Sequence, residues 1–313
     1  MRIISKGCGK LLIKVINNMQ AKTHHIKGDY YMRDYSMNLE GKVIVITGGS
    51  GVLCSEMASC LAEYGAKIAI LGRRLEACEE KANKINANGG TAKGYSCDVL
   101  DKEQLHRVHE EIKKDLGPCD ILINGAGGNN PKATTTEEYF HVGDEAKEDI
   151  MSFFNLDREG VEYVFNVNFV GTLLPTQEFA LDMIGKEGCS IINISSMNAF
   201  TPLTKIPAYS GAKAAISNFT KWLAVHFSKE NIRVNAIAPG FFATKQNQTL
   251  LFNDDGTPTA RTEKILNATP MERFGKAEEL NGTLLYLLND KMSGFVTGVV
   301  IPVDGGFNAY SGV

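Results

Sequence analysis

From Asn38 onward, short apolar runs alternate with longer amphipathic stretches, and this alternation limits the fold more than any other feature. Val43–Thr47 is a continuous run of β-formers, the pattern of a strand buried on both faces. Leu53, Met57, Cys60, Leu61 and Tyr64 then fall at helical spacing, and Gly65 ends that helix. Lys67–Leu71 reads as a second strand, and Arg74–Asn88 as a charged surface helix closed by Gly89 and Gly90. Further strands are predicted at Ala92–Ser96, Asp120–Asn124, Ser190–Ser195, Arg233–Ala238 and Val299–Pro302. Helical patterns lie between them at Lys102–Leu116, Val161–Gly185, Tyr209–Lys229 and Lys276–Leu288. Strands alternating with helices imply right-handed crossovers, hence a doubly wound α/β fold of about seven parallel strands with helices on both faces. No internal repeat or Pro/Ser-rich linker interrupts residues 38–313, which are expected to form one domain. The long connections 128–160 and 240–275 leave the carboxyl edge of the sheet, where ligands of such folds bind.

Residues 1–37 differ. Arg2, Lys6, Lys10, Lys14, Lys22, Lys27 and Arg33 stand against only Asp29 and Asp34. Lys14 breaks the apolar run Leu11–Ile16, so a secretory signal is not indicated, and Lys richness with little Ser argues against a transit peptide. The segment reads as a basic extension, expected to be mobile, with Met32 and Met37 as alternative starts. Across the chain 33 basic residues meet 36 acidic ones, without the basic excess of a nucleic-acid binder. No stretch of about 18 apolar residues offers a membrane span. Seven cysteines, with no CxxC pair, suggest buried free thiols of a reducing, cytoplasmic compartment; no metal site is expected.

Thr47-Gly48-Gly49-Ser50-Gly51 joins the first strand to the helix that begins near Val52 and Leu53. Glycines there let the backbone approach a pyrophosphate, and the helix N-terminus offers unpaired N–H donors. An acidic residue at the end of the second strand would bond the ribose hydroxyls of NAD. Here Gly72 is followed by Arg73 and Arg74, and a guanidinium can fork onto a 2′-phosphate, which favours NADP over NAD.

Tyr209 and Lys213 are four apart on a predicted helix and share one face. An ammonium beside a phenol is expected to lower its pKa from about 10, readying it to exchange a proton with a carbonyl or alcohol. Ser196 ends the Ile191–Ile194 strand, where its hydroxyl either bonds a substrate oxygen or caps the strand. Asn168 sits amid Val167, Phe169 and Val170; its amide needs partners, in a structural network or in a relay near Lys213.

Thr47-Gly48, Cys97-Asp98-Val99, Asn124-Gly125-Ala126-Gly127, Asn168, Ser196, Tyr209-x-x-x-Lys213 and Pro239-Gly240 together resemble the short-chain dehydrogenase/reductase family in order and spacing, across residues 38–313. The resemblance implies a Rossmann-like domain, a proton relay of Asn168, Ser196, Tyr209 and Lys213, and a homotetramer. It also implies that Asp98 meets the adenine, that Val99 binds the cofactor, that Asn124, Ala126 and Gly127 line the cofactor cleft, and that Lys213 holds the nicotinamide ribose. Phe242 and Thr244, after Pro239-Gly240, are placed at the cofactor as well. Two departures stand out. In the family pattern TGxxxGxG, Val52 and Cys54 replace the second and third glycines, and Gly125 replaces the second Asn of NNAG.

Within the family, Gly127-Gly128-Asn129-Asn130-Pro131, Ser195–Phe200, Phe241–Asn247 and Gly298–Phe307 resemble the sugar-acid branch, in particular D-mannonate oxidoreductases (fructuronate reductases). These stretches are polar: Asn129, Asn130, Asn198, Lys205, Lys245, Gln246 and Asn247 are available to hydroxyls and a carboxylate, with Lys245 the expected carboxylate partner. The expected reaction interconverts D-fructuronate and D-mannonate. The competing readings are gluconate 5-dehydrogenase, 3-oxoacyl-carrier-protein reductase, and a catalytically silent dinucleotide-binding module.

Overall fold

The computed structural model describes residues 34–243 and 251–312. A single seven-stranded parallel sheet has the order β3-β2-β1-β4-β5-β6-β7. Its strands are β1 (Val43–Thr47), β2 (Lys67–Gly72), β3 (Thr91–Ser96), β4 (Ile121–Asn124), β5 (Ser190–Ile194), β6 (Arg233–Pro239) and β7 (Val300–Val303). Each falls within a residue or two of its predicted place. The unit to which all of them belong runs from Met37 to Val313.

Alternation of side chains across the pleat turns each apolar run into two half-cores. Ile44 and Ile46 of β1 join one cluster, with Met57 and Leu61 of α1 (Val52–Glu63), Ile85 of α2 (Leu75–Ala87) and Leu284 and Leu287 of α8 (Asn281–Leu288). Val43 and Val45 join the other, with Leu105, Val108 and Ile112 of α3 (Lys102–Asp115), Phe179 of α5 (Gly171–Phe179) and Leu223 of α6 (Pro207–His226). No described helix is long and apolar enough to cross a membrane. The six cysteines among the described residues are free and buried.

Two predicted segments differ. The single helix expected over Val161–Gly185 is three pieces: α4 (Arg158–Phe165), a π turn over Asn166–Val170, and α5 followed by a 3-10 turn at Ala180–Met183. Helical periodicity is insensitive to one extra residue per turn, so the interruption was invisible in the pattern. The connection 240–275 holds a helix, α7 (Ala260–Asn267), whose first turn is capped when the Thr259 hydroxyl accepts from Thr262 N at 3.3 Å. A short four-residue helix, α9 (Asp290–Ser293), precedes β7.

Strand order reverses between β1 and β4, and Thr47 and Asn124 end those strands in register. A cleft opens at such a switch point.

Candidate active site

Gly48 turns the chain out of β1 with φ 63°, and a Cβ there would lie 2.7 Å from Gly125 O, so only glycine lets the two loops close. The Thr47 hydroxyl, fully buried, accepts from Gly125 N at 3.1 Å and Ala126 N at 3.2 Å. Thr47 therefore ties the switch point together from beneath instead of facing the cleft. Asn124 is likewise inside the fold, its amide donating to Thr176 Oγ1 and Asn193 Oδ1, both at 2.9 Å.

The N-terminus of α1 has no side-chain cap and no acidic residue in its first turn. By contrast the Asp101 carboxylate caps α3, accepting from Glu103 N and Gln104 N. An open helix N-terminus behind a glycine turn suits a pyrophosphate. Gly48, Gly51, Val52 and Leu53 line a cavity of about 350 Å³ there, across from Gly127, Pro239 and Gly240. Ser196, Tyr209 and Lys213 line the same cavity. The residues present thus fit a dinucleotide.

Cys54 and Gly125, two departures from the family pattern, face each other. A Cβ on Gly125 would collide with Cys54 Sγ, so the thiol fills the space that the glycine leaves. Burial pushes the Cys54 thiol up to about 11, which keeps it neutral at physiological pH.

Lys213, on α6, is 4% exposed, and its Nζ donates to Ile194 O at 2.8 Å. Burial lowers its pKa to about 8. Nζ lies 5.6 Å from the centroid of the Tyr209 ring. The expected lowering of Tyr209 by this ammonium is not what the site shows: burial raises the phenol, and its hydrogen bond with Ser196 only partly offsets that. Desolvation, which spacing on a helix does not reveal, outweighs the neighbour. The Ser196 hydroxyl accepts from Asn198 N at 3.3 Å and so caps the short turn that follows β5.

Asn168 sits inside the π turn, fully buried. Its Nδ2 donates to Gly128 O at 2.7 Å and Val164 O at 2.8 Å, while Oδ1 has no partner among the described residues. That oxygen and Lys213 Nζ lie 2.6 and 3.3 Å from where a Cβ on Gly127 would stand, so the glycine lets both approach one point. An unpaired buried acceptor beside an ammonium is a place for a water or a ligand hydroxyl.

Other predicted residues stand back from this cavity. Ser50 turns toward the end of β2, where its hydroxyl bonds the Cys78 thiol, and a Cβ on Gly49 would strike Ile46 O. Arg73 is exposed beyond β2, its carbonyl accepting from the Ser96 hydroxyl. The Asp98 carboxylate accepts from Leu100 N at 3.0 Å, and Val99 is buried where it would meet a Cβ on Gly171. Ala126 is half-buried and Phe242 buried. Of the expected substrate residues, Asn129 donates to Thr134 Oγ1, and the Asn130 side chain caps Lys132 N. Both shape their loop. Asn198 is buried, and its Oδ1 has no partner among the described residues. Thr244, Lys245 and Asn247 lie outside the described residues, as do Gln246 and the basic stretch through Arg33.

A second cavity, of about 430 Å³, is walled by Phe241, which follows Gly240, and by Ile206, three residues before Tyr209. Glu138, Lys205, Arg261 and Lys264 line it too. Sequence reasoning missed all of these except Lys205; Thr259 before an amphipathic eight-residue run was the signal for α7.

Comparison with known proteins agrees with this geometry. A family profile described as short chain dehydrogenase matches residues 42–254. An uncharacterized oxidoreductase of Haemophilus influenzae is 62% identical over 88% of this chain and 96% of its own length. Gluconate 5-dehydrogenase of Gluconobacter oxydans is 32% identical over 86% and 95%. Among solved structures, a Haemophilus influenzae protein provisionally named a D-mannonate oxidoreductase, with NAD bound, superposes with TM-score 0.86 at 60% identity, covering 89% of this chain and 99% of that one. A Burkholderia cenocepacia gluconate 5-dehydrogenase, bound to NADP and tartrate, gives 0.74 at 26% identity over 87% and 98%. The chain belongs to the short-chain dehydrogenase/reductase family and is an NAD(P)-dependent oxidoreductase with a Rossmann-like fold.

Proposed function

We propose that this enzyme interconverts a sugar-acid ketone and its alcohol, D-fructuronate and D-mannonate, in a cytoplasmic setting. The observation that carries the chemistry is the convergence of Tyr209, Ser196 and Lys213 on one cavity beside the open N-terminus of α1. The substrate class is supported by the provisional name of the 60% identical neighbour and by the three cations lining the adjoining cavity.

A bound nicotinamide supplies or accepts the hydride at the reacting carbon. The Tyr209 hydroxyl donates a proton to the carbonyl oxygen as the alcohol forms, and takes it back in oxidation. The Ser196 hydroxyl bonds the same oxygen and holds it in line. Lys213, held by Ile194 O, offers positive charge to the phenolate left behind. Asn168 Oδ1, beside Lys213 Nζ, accepts from a water that returns the proton.

The cofactor reading is NADP ahead of NAD. Arg73 supports it, since its guanidinium has no ion-pair partner among the described residues and no carboxylate ends β2. NAD on the 60% identical neighbour shows that the scaffold in that protein accepts the other form. A homotetramer belongs to the same proposal, supported by the exposed Leu181, Ile184, Trp222 and Val225 near and on α5 and α6.

Steady-state kinetics with D-fructuronate, 5-ketogluconate and simple ketones, each with NADPH and NADH, test the proposal. The expected result is the highest kcat/KM for fructuronate, and a lower NADP/NAD ratio in Arg73→Glu. Preference for another ketone would end the substrate reading; an unchanged ratio would end the role of Arg73.

A further inference from the structure

The adjoining cavity has an asymmetry that bears on acid recognition. Three cations and one carboxylate line it. Two of the cations are engaged: Lys264 Nζ pairs with Glu138 at 2.7 Å, and Lys205 Nζ donates to Thr136 O at 2.6 Å. The Glu138 carboxyl is held below the usual range by Lys264, so that pair is spent. The Arg261 side chain has neither a hydrogen bond nor an ion pair with any described residue, and it shares a face of α7 with Lys264 and Ile265. Helical spacing of these residues along the cavity wall turns that face inward.

We propose that Arg261 is the carboxylate-binding residue of the substrate site, its guanidinium forking onto the acid group while the ketone lies at Tyr209. The inference rests on the sugar-acid reading and assigns the recognition of its charge. A guanidinium presents two parallel N–H donors that match the two oxygens of a carboxylate. Phe241 links the two sites: it walls this cavity and follows Gly240, which lines the catalytic one. The Glu138–Lys264 pair cancels the one negative charge that would repel an anionic substrate.

D-Fructose tests the assignment, because it differs from D-fructuronate only in a hydroxymethyl group where the acid has its carboxylate. For Arg261→Gln, KM for fructuronate should rise roughly 30-fold or more with kcat retained, whereas kcat/KM for fructose stays at the wild-type value. Arg261→Lys should recover part of the loss, because it keeps the charge without the fork. A thermal unfolding midpoint equal to that of the wild type checks that Arg261→Gln is folded. If the wild type prefers fructuronate and Arg261→Gln keeps that preference, the assignment is overturned while the acid reading stands. An equal loss on both substrates also overturns the assignment. A wild type indifferent to the carboxylate overturns both.

Discussion

The contact between Cys54 and Gly125 makes a prediction whose size follows from the coordinates. A Cβ built on Gly125 overlaps Cys54 Sγ but stands 3.7 Å from Cys54 Cβ, an ordinary contact. Gly125→Ala alone must therefore push the thiol out of a packed site, at a cost of about 2 kcal/mol. Cys54→Ala alone removes one buried sulfur and leaves a small void, costing about 1 kcal/mol. The pair Cys54→Ala/Gly125→Ala removes the clashing atom and refills its space. It should be no less stable than Gly125→Ala, with a coupling of at least about 1 kcal/mol. Some strain persists, since Thr47 O lies 2.9 Å from the new methyl. Thermal unfolding of the wild type and three variants reads this at about 2–4 °C per kcal/mol. Both residues line the dinucleotide cavity, so affinity for NAD(P)H by fluorescence titration should fall in Gly125→Ala and recover in the double variant. Effects that add to within about 0.5 kcal/mol would refute the claim that the two departures from the family pattern compensate each other.

Two further predictions concern the relay. Tyr209→Phe keeps the packing but removes the transferable proton, so kcat should fall at least about a hundredfold with NAD(P)H binding intact; near-normal turnover would refute its role. For Lys213, the folded pKa of about 8 lies below the ordinary 10.5. Between these values the folded chain binds fewer protons than the unfolded one, so stability rises with pH there. Below pH 8 the full penalty, about 3 kcal/mol, is present. Lys213→Met removes the charge and leaves Ile194 O unpaired, a cost that does not vary with pH. Its stability relative to the wild type should be most favourable near pH 7 and decline toward pH 10.5; a difference constant with pH would refute the buried-cation argument.

The linear chain by itself determined the seven-stranded parallel sheet, the glycine turn at its switch point and the Tyr209–Lys213 pair. Each is a matter of short-range periodicity: alternate faces of a strand, one turn of a helix, a glycine where a side chain cannot fit. Tertiary structure alone decided matters that depend on what lies opposite. Cys54 could be read as an intrusion until Gly125 was seen to make room for it. The place of Asn168 beside Gly128, the burial that raises Tyr209 against the pull expected from Lys213, and the position of Arg261 on the wall of a cavity shared with Lys205 and Phe241 all arise between segments far apart in sequence. Desolvation and close packing are sums over such neighbours, and no local pattern carries them.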